Sequence, residues 1–140
     1  MYKNRIGGRK TYYSFDHKNW HFMILDAIGI TDDNKYMGII DSVQIDWIKN
    51  DIQNIEKETP IIIVGHIPFI TCAKQILYGY PAEMTPSLVV TNSFDVLKSF
   101  DGYNLKLVLQ GHLHKVEEII FKDIHFITGG AISGKWWEGA

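Results

Sequence analysis

Ile61-Ile62-Ile63-Val64 is an unbroken β-branched run, opened by Pro60 and stopped by Gly65. Apolar side chains on both sides of the pleat suit a strand covered on both faces. The segment before it has a different period. Asp41 offers a helix N-cap, with Gln44 three residues on as a capping-box partner. Ile45, Ile48, Ile52 and Ile55 then recur at three- and four-residue steps, separated mainly by polar residues, which predicts an amphipathic helix. Trp47 and Ile48 are its expected anchors against a sheet, and Thr59-Pro60 ends it. The plan repeats downstream. Ser93 caps a short helix through Phe100, Asp101-Gly102 turns the chain, and residues 105–109 form a second buried strand.

Hairpins flank these two units. Residues 12–15 and 20–25 are β-rich runs joined by the polar cluster Asp16-His17-Lys18-Asn19, and residues 116–121 pair with Ile124–Thr128 across Lys122-Asp123. Residues 26–38 read as a loop. Residues 67–92 lack sustained periodicity and contain Pro68, Gly79, Pro81 and Pro86; a connection that long in a compact domain is often functional. Helices alternating with buried strands predict an α/β layered sandwich in one domain over residues 1–140.

Composition narrows the function classes. With 46% hydrophobic residues the chain can pack a core, while a net charge of −2 and scattered basic residues give no reason to expect nucleic acid or a membrane surface as partner. One cysteine, Cys72, excludes an intrachain disulfide and a thiolate zinc site, and reads as a small apolar residue. There is no secretory signal, so the cytoplasm is the default compartment, and no apolar run is long enough to span a bilayer.

Two of the six histidines follow a glycine at the ends of the buried strands, Gly65-His66 and Gly111-His112. Ligand sites of open α/β sheets lie beyond the carboxyl ends of the strands. His114 shares the second loop. Neutral imidazole suits zinc, iron and, less well, manganese, and three converging imidazoles would make a catalytic zinc site. The other histidines have plainer readings: His17 in a turn, His21 and His125 within strands where packing or a hydrogen bond is expected. Asp16 reads as a turn residue and Asp26 as a loop-orienting one. Trp136-Trp137 reads as cleft lining or packing surface, and Tyr78 and Tyr80 sit where substrate contact is conceivable but not required.

Gly65-His66-Ile67-Pro68, followed by Leu107-Val108-Leu109-Gln110-Gly111-His112-Leu113-His114, resembles the calcineurin-like metallophosphoesterases, in which a Gly-His and a Gly-His-x-His segment close the second half of the active site. Tyr12-Tyr13-Ser14-Phe15-Asp16 and His21-Phe22-Met23-Ile24-Leu25-Asp26 are similar to the hairpin before that family's central helix. Gln44-Ile45-Asp46-Trp47-Ile48 is similar to the start of the helix. The likeness spans nearly the whole chain. It implies half of a four-layer α/β/β/α sandwich, with His66 and His112 as ligands of one metal ion and His114 of the other. It further implies a dinuclear manganese, iron or zinc centre in the complete domain that hydrolyses phosphate mono- or diesters.

The family's first half supplies Asp-x-His, Gly-Asp-x-x-Asp and Asn-His segments, and none of these precedes Gly65-His66. No catalytic residue is therefore carried over, since the leaving-group histidine of the Asn-His pair is missing. The expectation is a C-terminal fragment, inactive alone, holding at most one divalent ion weakly. Its exposed sheet would self-associate or pair with the missing N-terminal half. The rival expectation is a non-catalytic remnant that binds a partner. A third is a mononuclear zinc hydrolase using the three histidines, for which no well-placed Glu is evident.

Overall fold

In a computed structural model, residues 10–80 and 82–131 are described. Among the described residues, eight strands and three helices follow one another. They are β1 (Tyr13–His17), β2 (Trp20–Ile24), β3 (Ile28–Ile30), β4 (Tyr36–Gly38), α1 (Ser42–Ile52), β5 (Ile61–Val64), α2 (Ala73–Tyr78), α3 (Ser93–Lys98), β6 (Leu105–Gln110), β7 (Glu117–Phe121) and β8 (Ile124–Thr128). Six strands make one sheet in the order β1-β2-β5-β6-β8-β7. The four inner strands run parallel, and β1 and β7 close the two edges antiparallel.

The register explains which side chains make the core. Met23, Ile63, Val108 and Phe126 are cross-strand neighbours in a single row, and all four are fully buried. Ile48 and Ile52 of α1 and Val96 of α3 complete the cluster on that face. The next row, Phe22, Ile62 and Leu107, belongs to the opposite face. One helical layer on one sheet is half of the four-layer sandwich, and the α/β expectation holds.

Four local readings need correction. Asn92 and not Ser93 is the N-cap of α3, with no side-chain cap bond. The expected loop at residues 26–38 contains the β3–β4 hairpin, a two-stranded sheet of its own. Its strands are three residues each, too short for alternation to stand out from noise. The aperiodic stretch 67–92 holds the six-residue α2, ended by Gly79 in the left-handed region. Gln44 is not a capping-box partner. Asp41 caps α1 by accepting from the Gln44 amide at 2.7 Å, but the Gln44 side chain turns to the Asp26 backbone instead. Its Oε1 accepts from Asp26 N at 2.9 Å and its Nε2 donates to Asp26 O at 2.7 Å. Gln44 is only 2% exposed, and by pairing with both backbone groups of Asp26 it keeps its buried amide fully hydrogen-bonded.

His21 is indeed a packing and hydrogen-bonding residue, buried with Nδ1 2.7 Å from Asp16 and Nε2 2.8 Å from Asp51. Asp16 thus anchors the hairpin to His21, beyond its expected role in the turn. Trp136-Trp137 lies outside the described residues. Among the described residues no helix is long and apolar enough to cross a membrane.

Candidate metal-binding site

Strands β5 and β6 are parallel neighbours with Val64 beside Leu109, so the chain leaves both at the same end of the sheet. The two exits are fastened together. Gly65 N donates to Leu109 O, and Gly111 N donates to His66 O, both at 2.9 Å. Gln110, buried just before the second exit, ties in the loop after His66. Its Oε1 accepts from Phe69 N at 2.9 Å, and its Nε2 donates to Ile70 O at 2.6 Å and Thr128 Oγ1 at 2.9 Å.

Held this way, the two imidazoles face each other. His66 Nε2 lies 3.1 Å from His112 Nδ1, with ring centroids 5.0 Å apart and planes at 74°. His112 Nε2 is 3.1 Å from Ser87 O. A carbonyl only accepts, so that nitrogen carries the proton and the neutral ring presents a bare Nδ1 to His66. His66 Nε2 then donates to it. Burial pushes the His112 pKa below the ordinary imidazole value, and positive charge on His66 or His114 would push it the same way, against the opposing Ser87 carbonyl. Tyr36 meets the His112 ring edge-on at 6.2 Å.

His112 and His114 both have positive φ, 72° and 56°, in the left-handed region that non-glycine residues rarely occupy. A cost of this kind is concentrated at functional sites. His114 lines a cavity of about 430 Å³ together with His112, while His66 borders a different one of about 450 Å³ with Asp26 on its wall. The Asp26 carboxylate accepts from Ile28 N at 3.2 Å and shapes the loop.

The structure thus brings His66 and His112 into contact, and His114 lines a cavity with His112 that His66 does not border. Two nitrogens 3.1 Å apart suit common binding to one ion at roughly 2.0–2.1 Å each. The Ser87 carbonyl already holds His112 in the tautomer that a metal needs. Among the described residues, however, no group of three or more His, Cys, Asp or Glu side chains is arranged to hold an ion. The two facing imidazoles supply part of the donor set of one ion.

Ser87 and Tyr36 escaped the sequence reading. Ser87 acts through its backbone carbonyl, which leaves no side-chain signal, and Tyr36 arrives by way of the short hairpin. The chain does contain one Asp-x-His, Asp123-Ile124-His125, but it spans the β7–β8 turn and β8. There His125 Nδ1 contacts Glu118 at 2.7 Å, outside the paired-histidine site.

No protein-family profile matches the sequence, and no curated protein matches it. Among solved structures the chain is similar to a dimetal phosphatase from Danio rerio at 16% identity, with a TM-score of 0.60 over 88% of this chain and 50% of that one. A phosphopantetheinyl hydrolase from Mycobacterium tuberculosis aligns at 11% identity with a TM-score of 0.47, over 86% of this chain and 54% of that one. The inner-membrane-complex anchor GAP50 of Plasmodium aligns at 17% with a TM-score of 0.44, over 85% and 36%. At those scores the last two carry no weight. The chain spans about half the length of the dimetal phosphatase, and its fold is similar to that half.

Proposed function

We propose that this chain is a single-domain piece, residues 1–140, of a metal-dependent phosphoesterase, contributing the histidine side of the site. The observation that carries the reading is the 3.1 Å approach of His66 Nε2 to His112 Nδ1 at the carboxyl ends of two adjacent parallel strands. The half-sandwich likeness to a dimetal phosphatase supports it. His66 and His112 are the candidate ligands of one divalent ion, manganese, iron or zinc, and His114 that of a second ion in a complete domain.

The reaction is hydrolysis: water adds to phosphorus, the ester P–O bond breaks, and the alcohol leaves with a proton. A divalent ion, when bound, supplies stabilisation of the charge on the phosphoryl oxygens and acidifies water. The residues of this chain position and orient. Ser87 O keeps the proton on His112 Nε2, and Gln110 holds both strand exits in register. No described acidic side chain joins the histidine pair, so the chain alone is expected to bind one ion weakly and turn over little.

The test is an assay against aryl phosphate monoesters and diesters with manganese. It compares the chain alone with the chain extended by whatever its gene encodes upstream of Met1. Turnover only in the extended protein, lost in His66→Ala, is expected. Absence of turnover in both would overturn the hydrolase reading.

A second reading rests on a separate observation. The sheet face opposite the helices carries Phe15, Leu109 and Ile120, exposed by 45%, 37% and 61%. A non-catalytic module that covers this face with a partner, or with a second copy, would make the same use of it.

A further inference from the structure

The cavity that His112 and His114 share is unlike a site for a sugar phosphate. It encloses about 430 Å³, within the usual range for small-molecule sites. Leu77, Met84, Leu88 and Leu113 form much of its wall, with the Tyr78 ring beside them. Lys74 and Lys115 also border it, and the Lys74 ammonium donates to the Glu83 carbonyl. The polar side chains in the lining are thus imidazole, ammonium and phenol. Among the described lining residues there is no carboxylate or carboxamide side chain.

That inventory discriminates between phosphoesters. A polyhydroxy alcohol would set most of its hydroxyls against a wall that is largely hydrocarbon, and each hydroxyl left without a partner carries a desolvation cost. An aromatic or apolar alcohol carries no such cost and covers the leucines. The His112 and His114 imidazoles on the same wall are then the groups left to face the phosphate. The helix that supplies Leu77 and Tyr78 is short and leaves both more than half exposed, so a ligand can bury surface that the protein by itself does not.

We infer that the cavity between α2 and the His112–His114 loop seats the aromatic or apolar alcohol portion of a phosphate ester, with the phosphate toward the histidines. This deepens the hydrolase reading and rests on it. The full chain, labelled with nitrogen-15, would be titrated with 1-naphthyl phosphate, glucose 6-phosphate and 1-naphthol, following amide shifts.

The naphthyl ester is expected to bind at least ten-fold tighter than the sugar ester and than naphthol, shifting Leu77, Leu88 and Leu113. Leu77→Glu, at a position 51% exposed, is expected to remove that preference while thermal melting and zinc uptake stay as they are. Equal affinity for the two esters, or for naphthol and its phosphate, overturns the inference. Zinc titration by calorimetry, with the turnover assay, separates the two levels. If zinc binds and no aryl preference appears, only the cavity assignment fails. If the preference appears but neither the chain nor its extended form hydrolyses an aryl phosphate, the cavity assignment stands as a binding site and the hydrolase reading fails.

Discussion

His112 Nε2 donates a hydrogen bond to the Ser87 carbonyl at 3.1 Å, and this leaves Nδ1 as the bare nitrogen that meets His66. The arrangement makes metal uptake a competition with protons. Calorimetric titration with zinc is expected to give one weak site per chain, and His66→Ala or His112→Ala should lower its affinity by ten-fold or more. Two tight sites would contradict the expected stoichiometry.

The same residue sets a pH dependence of stability. Burial and the neighbouring imidazoles hold the folded His112 pKa below its value of 6.5 in the unfolded chain. Between the two values the unfolded chain binds more protons, so unfolding free energy rises with pH there. Its contribution to stability is therefore present above pH 6.5 and falls as the pH drops below it. Urea melts of the chain and of His112→Gln from pH 7.5 to 5 should show a shallower acid loss in the variant; identical slopes would refute this.

Gly38 governs the site from a distance. A Cβ there would meet Val89 O at 2.3 Å, the Val89 carbonyl carbon at 2.8 Å and Ile67 Cγ2 at 2.9 Å. Gly38 N also donates to Pro86 O, and Gly38 O accepts from Thr91 N. Gly38→Ala must push away the segment that presents Ser87, at a cost of about 2 kcal/mol, and should weaken zinc binding with no ligand altered. Gly79→Ala has open space around it and only its φ of 73° to oppose it. It should cost about 1 kcal/mol and leave zinc binding alone. Denaturant midpoints and zinc affinities of the two variants check the contrast.

Cys72 is a shielded thiol rather than a reactive one. Its Sγ donates to Glu117 Oε1 at 2.9 Å and its amide donates to the same oxygen at 2.7 Å. The Glu117 hydrogen bond, with burial and the carboxylate charge behind it, raises the thiol pKa. Alkylation by iodoacetamide at pH 8 should run several-fold slower than for a free thiol, and Glu117→Gln should speed it. An unchanged rate in that variant would show that the carboxylate is not the shield.

The exposed apolar side chains on the sheet face opposite the helices make a concentration-dependent prediction. Multi-angle light scattering at high concentration should reveal self-association of the chain. Phe15→Lys with Leu109→Lys should return it to a monomer, because charges on that face resist apolar burial. A monomeric parent chain at every concentration would remove the support for a partner-binding face.

Sequence alone was enough for the frame. Hydrophobic period is a local property, so the three- and four-residue spacing of Ile45, Ile48 and Ile52 and the unbroken run Ile61–Val64 announce a helix and a buried strand without their neighbours. The glycines before His66 and His112 likewise mark where the strands end. What the tertiary structure decided are relationships between distant segments. Gln44 pairs with Asp26 rather than with its own cap, and His66 meets His112 while His114 faces another cavity. The Ser87 carbonyl chooses the tautomer. Buried backbone groups and imidazole nitrogens take partners by proximity in space, and strand register together with the left-handed turns at positions 112 and 114 sets that proximity.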